Sequence, residues 1–291
     1  MKRIIAGAVT MTASIVFGVA GSAHAAAADD GSSVETEVSS MGSLYVVAGV
    51  RLWLNQWDFV VSDRELFLAN PADSSSLMMR DRVYSATSST EIVPIVYLGV
   101  RYRDFVGSAS YFAKTSFETE GVLSEDVDRE EIDLNLGYQV TPNFAVSLGY
   151  RRGTQSKTTD IVADSETTVE GLLVGASFSV PISGPFSAYG SVAYGLAHLE
   201  TEVRMANGDD TLDGDYRVGE IGISYSLSHL LGNSVLKGAA LTVGYRTWVI
   251  TEDDVPLGTY ALNDPIHPVS IDDTKIRTTA DGFVIGAVAV F

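Results

Sequence analysis

The residues able to do acid–base or nucleophilic chemistry in this chain are few and scattered. It has no cysteine and four histidines, His24, His198, His229 and His267. General-base catalysis needs its partner within hydrogen-bond reach. The histidines form no metal-spaced cluster, no phosphate loop is present, and no G-x-S-x-G elbow raises a serine nucleophile. The suggestive carboxylates are Asp126 and Asp128, either side of Val127, and the group Asp209, Asp210 and Asp213. His198 shares a face with Val192, Tyr194 and Leu196, the place of an interfacial side chain rather than a base. The expectation is no catalytic residue, no cofactor and no metal.

A second pattern carries charge instead of chemistry. Gly49-Val50-Arg51, Gly99-Val100-Arg101, Gly149-Tyr150-Arg151 and Gly244-Tyr245-Arg246 repeat one theme, with Gly137-Tyr138-Gln139 as a variant. Side chains two apart in a strand share a face, so each Arg lies on the side where Gly leaves room. The same parity predicts an inward set of Arg51, Arg101, Arg103, Lys114, Arg151 and Arg246, facing Glu118, Glu131, Asp133 and Glu220. Opposite charges in a narrow interior must pair, because unpaired buried charge is costly. Two functions follow: a charged plug that holds a barrel shut, or a narrow pore with an anion-favouring wall.

The elements that must position these residues are strands. Ten alternating segments run about 43–60, 91–104, 108–120, 129–140, 144–155, 167–180, 186–203, 215–228, 237–251 and 275–291. The cleanest sets Ile132, Leu134, Leu136, Tyr138 and Val140 against Glu131, Asp133, Asn135, Gly137 and Gln139. Turns are expected near Phe105-Val106-Gly107, at Thr141-Pro142-Asn143 and at Ile182-Ser183-Gly184-Pro185. Short connections follow segments two, four, six and eight; long polar ones follow the others. Strands of about 12 to 18 residues exceed the globular norm of roughly 5 or 6. An even count with alternating short and long connections is the bacterial membrane-barrel pattern. The fold class expected is all-β, a transmembrane antiparallel up-and-down barrel of about ten strands, monomeric. The gap at 61–90 is read as a long loop with room for a hairpin, and 253–274 as the other long loop. These two are the expected places for external specificity.

The final segment, KIRTTADGFVIGAVAVF, puts Phe283, Ile285, Ala287, Ala289 and Phe291 on one face. A last strand ending on a C-terminal Phe resembles the closing strand of bacterial outer-membrane β-barrels. The Gly-x-Arg strands are similar to those of the small opacity-type barrels over residues 43–291. The resemblance implies an outer-membrane location, lipid and lipopolysaccharide around the barrel, and insertion by the outer-membrane assembly machinery through Phe291. Strand count and length also resemble the omptin proteases, whose sites pair acids in one external loop with an Asp–His couple in another; the corresponding loop here, 204–214, has no His.

The N-terminus fits export. Lys2 and Arg3 precede an apolar run, and Ala23-His24-Ala25 is a small-x-small site, so residues 1–25 read as a signal peptide and 26–42 as a flexible tail. The net charge of −18 becomes −20 without Lys2 and Arg3, which excludes nucleic acid as a natural partner. The acids concentrate between strands, in solvated external segments. Trp53, Trp57, Phe59 and Trp248, near the external ends of their strands, read as interfacial aromatics.

Overall fold

Alternation of apolar and polar residues leaves each strand with a lipid-compatible face and a polar or small one. The computed structural model describes residues 44–68, 77–121, 126–158, 165–202, 210–227, 236–253, 255 and 274–291. The signal peptide, the tail, His229, His267 and most of the 253–274 connection lie outside these residues.

Among the described residues there are eleven strands: β1 Leu44–Leu68, β2 Leu77–Ser88, β3 Glu91–Tyr102, β4 Phe105–Gly121, β5 Asp126–Thr141, β6 Phe144–Thr158, β7 Ser165–Ser183, β8 Phe186–Thr201, β9 Thr211–Ser226, β10 Gly238–Glu252 and β11 Lys275–Val290. Neighbours pair antiparallel in chain order, and β11 returns to β1 from Val47↔Val290 to Ser62↔Lys275. Closure leaves no edge within the bilayer, where an unpaired backbone group would be costly. The chain terminus belongs to this seam: the Phe291 N–H donates to Val46 O at 2.8 Å, and the Val46 N–H donates to Phe291 O at 3.2 Å.

The eleven elements make ten barrel strands. β1 pairs with β3 along residues 44–55 and with β2 along 58–68, so β2 and β3 are two halves of one interrupted strand. The interruption at Ser89 and Thr90 is bridged by side-chain bonds. The Trp57 N–H donates to Ser88 Oγ at 2.9 Å, Gln56 Nε2 to Ser88 O at 3.2 Å, and the Glu118 N–H to Ser89 Oγ at 3.1 Å. The stretch 61–90 is therefore mostly strand, a hairpin arm extending β1 outward, and only 69–76 separates its two sides. A second correction concerns the first tight turn. It falls at Arg103 and Asp104, before β4, with Arg103 at φ 55°.

Outward positions carry the belt: Leu98, Leu134, Leu148, Leu172, Leu196, Ile221 and Ile285 are among the exposed apolar residues. The core is the lumen. Its periplasmic half is built from small residues such as Ala145, Ser147, Ser177, Ser187, Ser191 and Ser224, into which Tyr97 and Tyr189 project. A Cβ on Gly222 or Gly244 would stand 2.6 Å from the Tyr189 hydroxyl oxygen. The glycines at these positions are the space the ring occupies. The external third is mostly apolar, with Trp57, Phe117, Val127, Ile250 and Val255 buried beside Thr119, Glu252 and Thr274.

Candidate functional site

Between these halves lies a charged layer on β1, β5, β6, β9 and β10. Arg51 reaches across the lumen to Glu220, Nη2 to Oε1 at 2.5 Å, with both side chains 2% exposed. Arg151 donates to Glu131 and, through Nε, lies 3.0 Å from Asp133 Oδ1. Arg246 Nη2 stands 3.6 Å from the other Asp133 oxygen, and Arg129 Nη2 is 2.5 Å from Glu131 Oε1. Strand pairing explains the assembly. Asp133 is directly opposite Arg151, and Glu220 opposite Arg246, so Arg246 sits between two carboxylates while Arg51 approaches Glu220 from β1, three strands away past the β11–β1 seam.

Aromatic rings close the layer. The Arg151 guanidinium lies 5.3 Å from the Phe112 ring centre and 5.2 Å from that of Tyr216; Arg246 lies 5.1 Å from Trp53 and 5.0 Å from Phe112. Arg129 covers Trp248 at 4.2 Å. Cations over ring faces in a desolvated site gain roughly 2 kcal/mol or more each. The rings also exclude water, which strengthens the ion pairs they enclose.

Six of the charges expected inside are here: Arg51, Glu131, Asp133, Arg151, Glu220 and Arg246 are all buried. The others are not. Arg103 is exposed in the periplasmic turn, and Arg101, half-buried at the end of β3, donates from Nε to Arg103 O at 3.1 Å. Lys114 and Glu118 face outward. The cause is a β-bulge: between Phe112 and Thr115, β4 advances three residues while β5 moves two, from Glu131 to Arg129. One extra residue exchanges the two faces of everything beyond it. Phe117 and Thr119 consequently point inward, and Lys114 pairs with Asp128 on the outer wall at 2.9 Å.

The tryptophans are a further correction. Trp53, Trp57 and Trp248 are at most 2% exposed and lie within the lumen, not at the membrane interface. Their parity already placed them there, since Trp53 and Trp57 share the face of Arg51, and Trp248 that of Arg246. Arg129 and Tyr216 were legible by the same rule, from Glu131 and Glu220.

The outer wall has its own polar ring where the belt ends. On each of the five external hairpins a hydroxyl donates to a carboxylate on the adjacent strand. These pairs are Thr87 to Asp58 at 2.7 Å, Tyr111 to Glu130 at 3.0 Å, Tyr150 to Glu170, Tyr194 to Asp215, and Tyr245 to Asp281. Arg152 lies 3.4 Å from Glu170, and Arg217 lies 3.2 Å from Asp215. His198 Nδ1 is 2.8 Å from Asp213 Oδ1, with both side chains exposed on this wall. Asp126 and Asp128 face the same way on β5, flanking the inward Val127. An Asp–His couple and an acidic pair thus exist, but neither faces the barrel mouth. Among the described residues no cluster of three or more His, Asp or Glu has metal-binding geometry.

A family model described as OmpA-like transmembrane domain matches residues 94–246. No curated protein sequence matches the chain. The outer-membrane protease OmpT of Escherichia coli superposes with a TM-score of 0.42 at 11% identity, over 85% of this chain and 97% of that one. A FadL homologue from Pseudomonas aeruginosa gives 0.30 at 10% identity, over 84% and 90%. The toluene transporter TodX of Pseudomonas putida gives 0.28 at 10% identity, over 84% and 89%. At these scores the likenesses argue for neither proteolysis nor transport.

Proposed function

The chain belongs to the OmpA-like transmembrane domain family, an outer-membrane β-barrel, and we propose that its role is structural and surface-interacting, with the lumen held shut by its Arg, carboxylate and ring layer. One observation carries this reading. Arg151 fills the middle of the barrel, bound by Glu131 and Asp133 and walled by Phe112, Tyr216 and Trp248. A ten-stranded barrel is little wider than the eight-stranded kind whose interior side chains fill.

The other surfaces are consistent with that role. The belt meets lipid, and the hydroxyl–carboxylate ring with its Arg neighbours meets the polar lipopolysaccharide zone. Phe291, on the lipid side of the β11–β1 seam, serves as the assembly signal. In this reading the protein acts as a monomer and not as a hydrolase; the second part is supported by Asp126, Asp128, Asp213 and His198, which open onto the outer wall.

The second reading is a narrow anion-leaning diffusion channel, favoured by the guanidinium groups in the lumen. Conductance of the refolded protein in a planar bilayer separates the two. Inserted but silent protein is the expected result. Stable anion-selective openings, altered in Arg151→Ala or Arg246→Ala, would replace the plug with the channel.

A further inference from the structure

Glu252 is a buried carboxylate that the central layer does not use. It ends β10, is 2% exposed, and its Oε2 has no hydrogen-bond partner. It lies five residues beyond Thr247, the residue opposite Asp281 in the outer ring, and so stands external to the belt. A buried oxygen left unpaired is costly, and more so when it is charged.

The surroundings hold the side chain inward. Ile276 is its partner on β11. On β9 the adjacent position is Gly214, where a Cβ would come within 2.7 Å of Glu252 Cγ and 2.9 Å of Thr251 O. Beyond the strand, the Val255 N–H donates to Thr274 O at 2.9 Å, with Val255 and Thr274 almost fully buried. This bond prolongs the hairpin ladder past Glu252.

Among the described residues, the groups packed around it are not charged. β10 contributes Ile250, β11 Ile276 and Thr274, and β9 Gly214 with Tyr216 as its titratable neighbour. Lys275 and Asp253 pair with each other on the outer wall at 2.9 Å. The lumen cations Arg129 and Arg246 are engaged by Glu131 and Asp133.

We propose that Glu252 is a proton-operated latch at the mouth of the barrel. Neutral, it lies inside and lets the β10–β11 ladder continue to the Val255–Thr274 bond. Ionised, it turns out to water and loosens the Val255–Thr274 end. Burial pushes the carboxyl from 4.5 up to about 7. A folded-state value above the unfolded one means that folding favours the protonated form. The latch therefore contributes fully below the ordinary carboxyl range and is lost as pH rises through about 7.

Amide hydrogen exchange of the refolded protein in lipid vesicles, corrected for the intrinsic pH dependence of exchange, tests the latch. Between pH 5.5 and 8.5, protection of residues 250–253 and 274–277 should fall at least about tenfold in the wild type. Glu252→Gln, which cannot ionise, should stay protected at both values. Gly214→Ala, whose Cβ displaces Glu252, should be loose at both. Equal protection of the wild type at the two pH values overturns the proposal. So does the wild-type pH response surviving in Glu252→Gln, or in Gly214→Ala should the first variant fail to refold.

Discussion

Arg151 and Arg152 are neighbours in sequence with the same chemistry and opposite consequences. Arg151 points into the lumen, 4% exposed, and meets Glu131 and Asp133 there; Arg152 points out, 55% exposed, and meets Glu170. One peptide unit separates a buried ion network from a solvated surface pair. In the lumen each charge has surrendered its water, so its partner and the surrounding rings must replace that solvation. On the wall water and salt screen the pair, which contributes little beyond marking where the belt ends. A guanidinium facing a carboxylate is therefore not itself a stability argument; which side of the strand it occupies decides.

The contrast can be tested by unfolding titrations in lipid vesicles. Arg151→Met leaves Glu131 with Arg129 alone and Asp133 with Arg246 alone, and should cost about 3–5 kcal/mol, the effect of removing one partner of a buried pair. Combining it with Glu131→Gln should cost less than the sum of the single changes, since the two share one network. If the costs simply add, the layer is not a coupled unit. Gly244→Ala tests the packing beside the layer, because the added methyl would meet the Tyr189 hydroxyl at 2.6 Å. An overpacking cost of about 1–3 kcal/mol is expected. Arg152→Ala should fall within about 1 kcal/mol of wild type and shrink further in salt. A loss as large as that of Arg151→Met would erase the distinction between the two faces.

Much of this is legible in the amino-acid sequence. Period-two alternation assigned Arg51, Glu131, Asp133, Arg151, Glu220 and Arg246 to one interior, and the alternation of short and long connections set the count of ten. The tryptophans were misread for a different reason. An exported barrel invites an interfacial reading of Trp near strand ends, although Trp53, Trp57 and Trp248 had the parity of lumen residues. The 61–90 stretch was obscured because a strand pair standing outside the bilayer has no lipid face to impose clean alternation.

By itself the sequence determined which residues share a face, since a strand turns its side chains by half a turn per residue wherever it runs unbroken. Only the tertiary structure decided where that rule is interrupted and which charges meet. The extra residue between Phe112 and Thr115 turned Lys114 and Glu118 outward, and nothing local announces it, because a bulge depends on the partner strand. Arg51 and Glu220 are 169 residues apart. They meet because the sheet closes on itself: β1 pairs with β11, which sets it only three strands from β9.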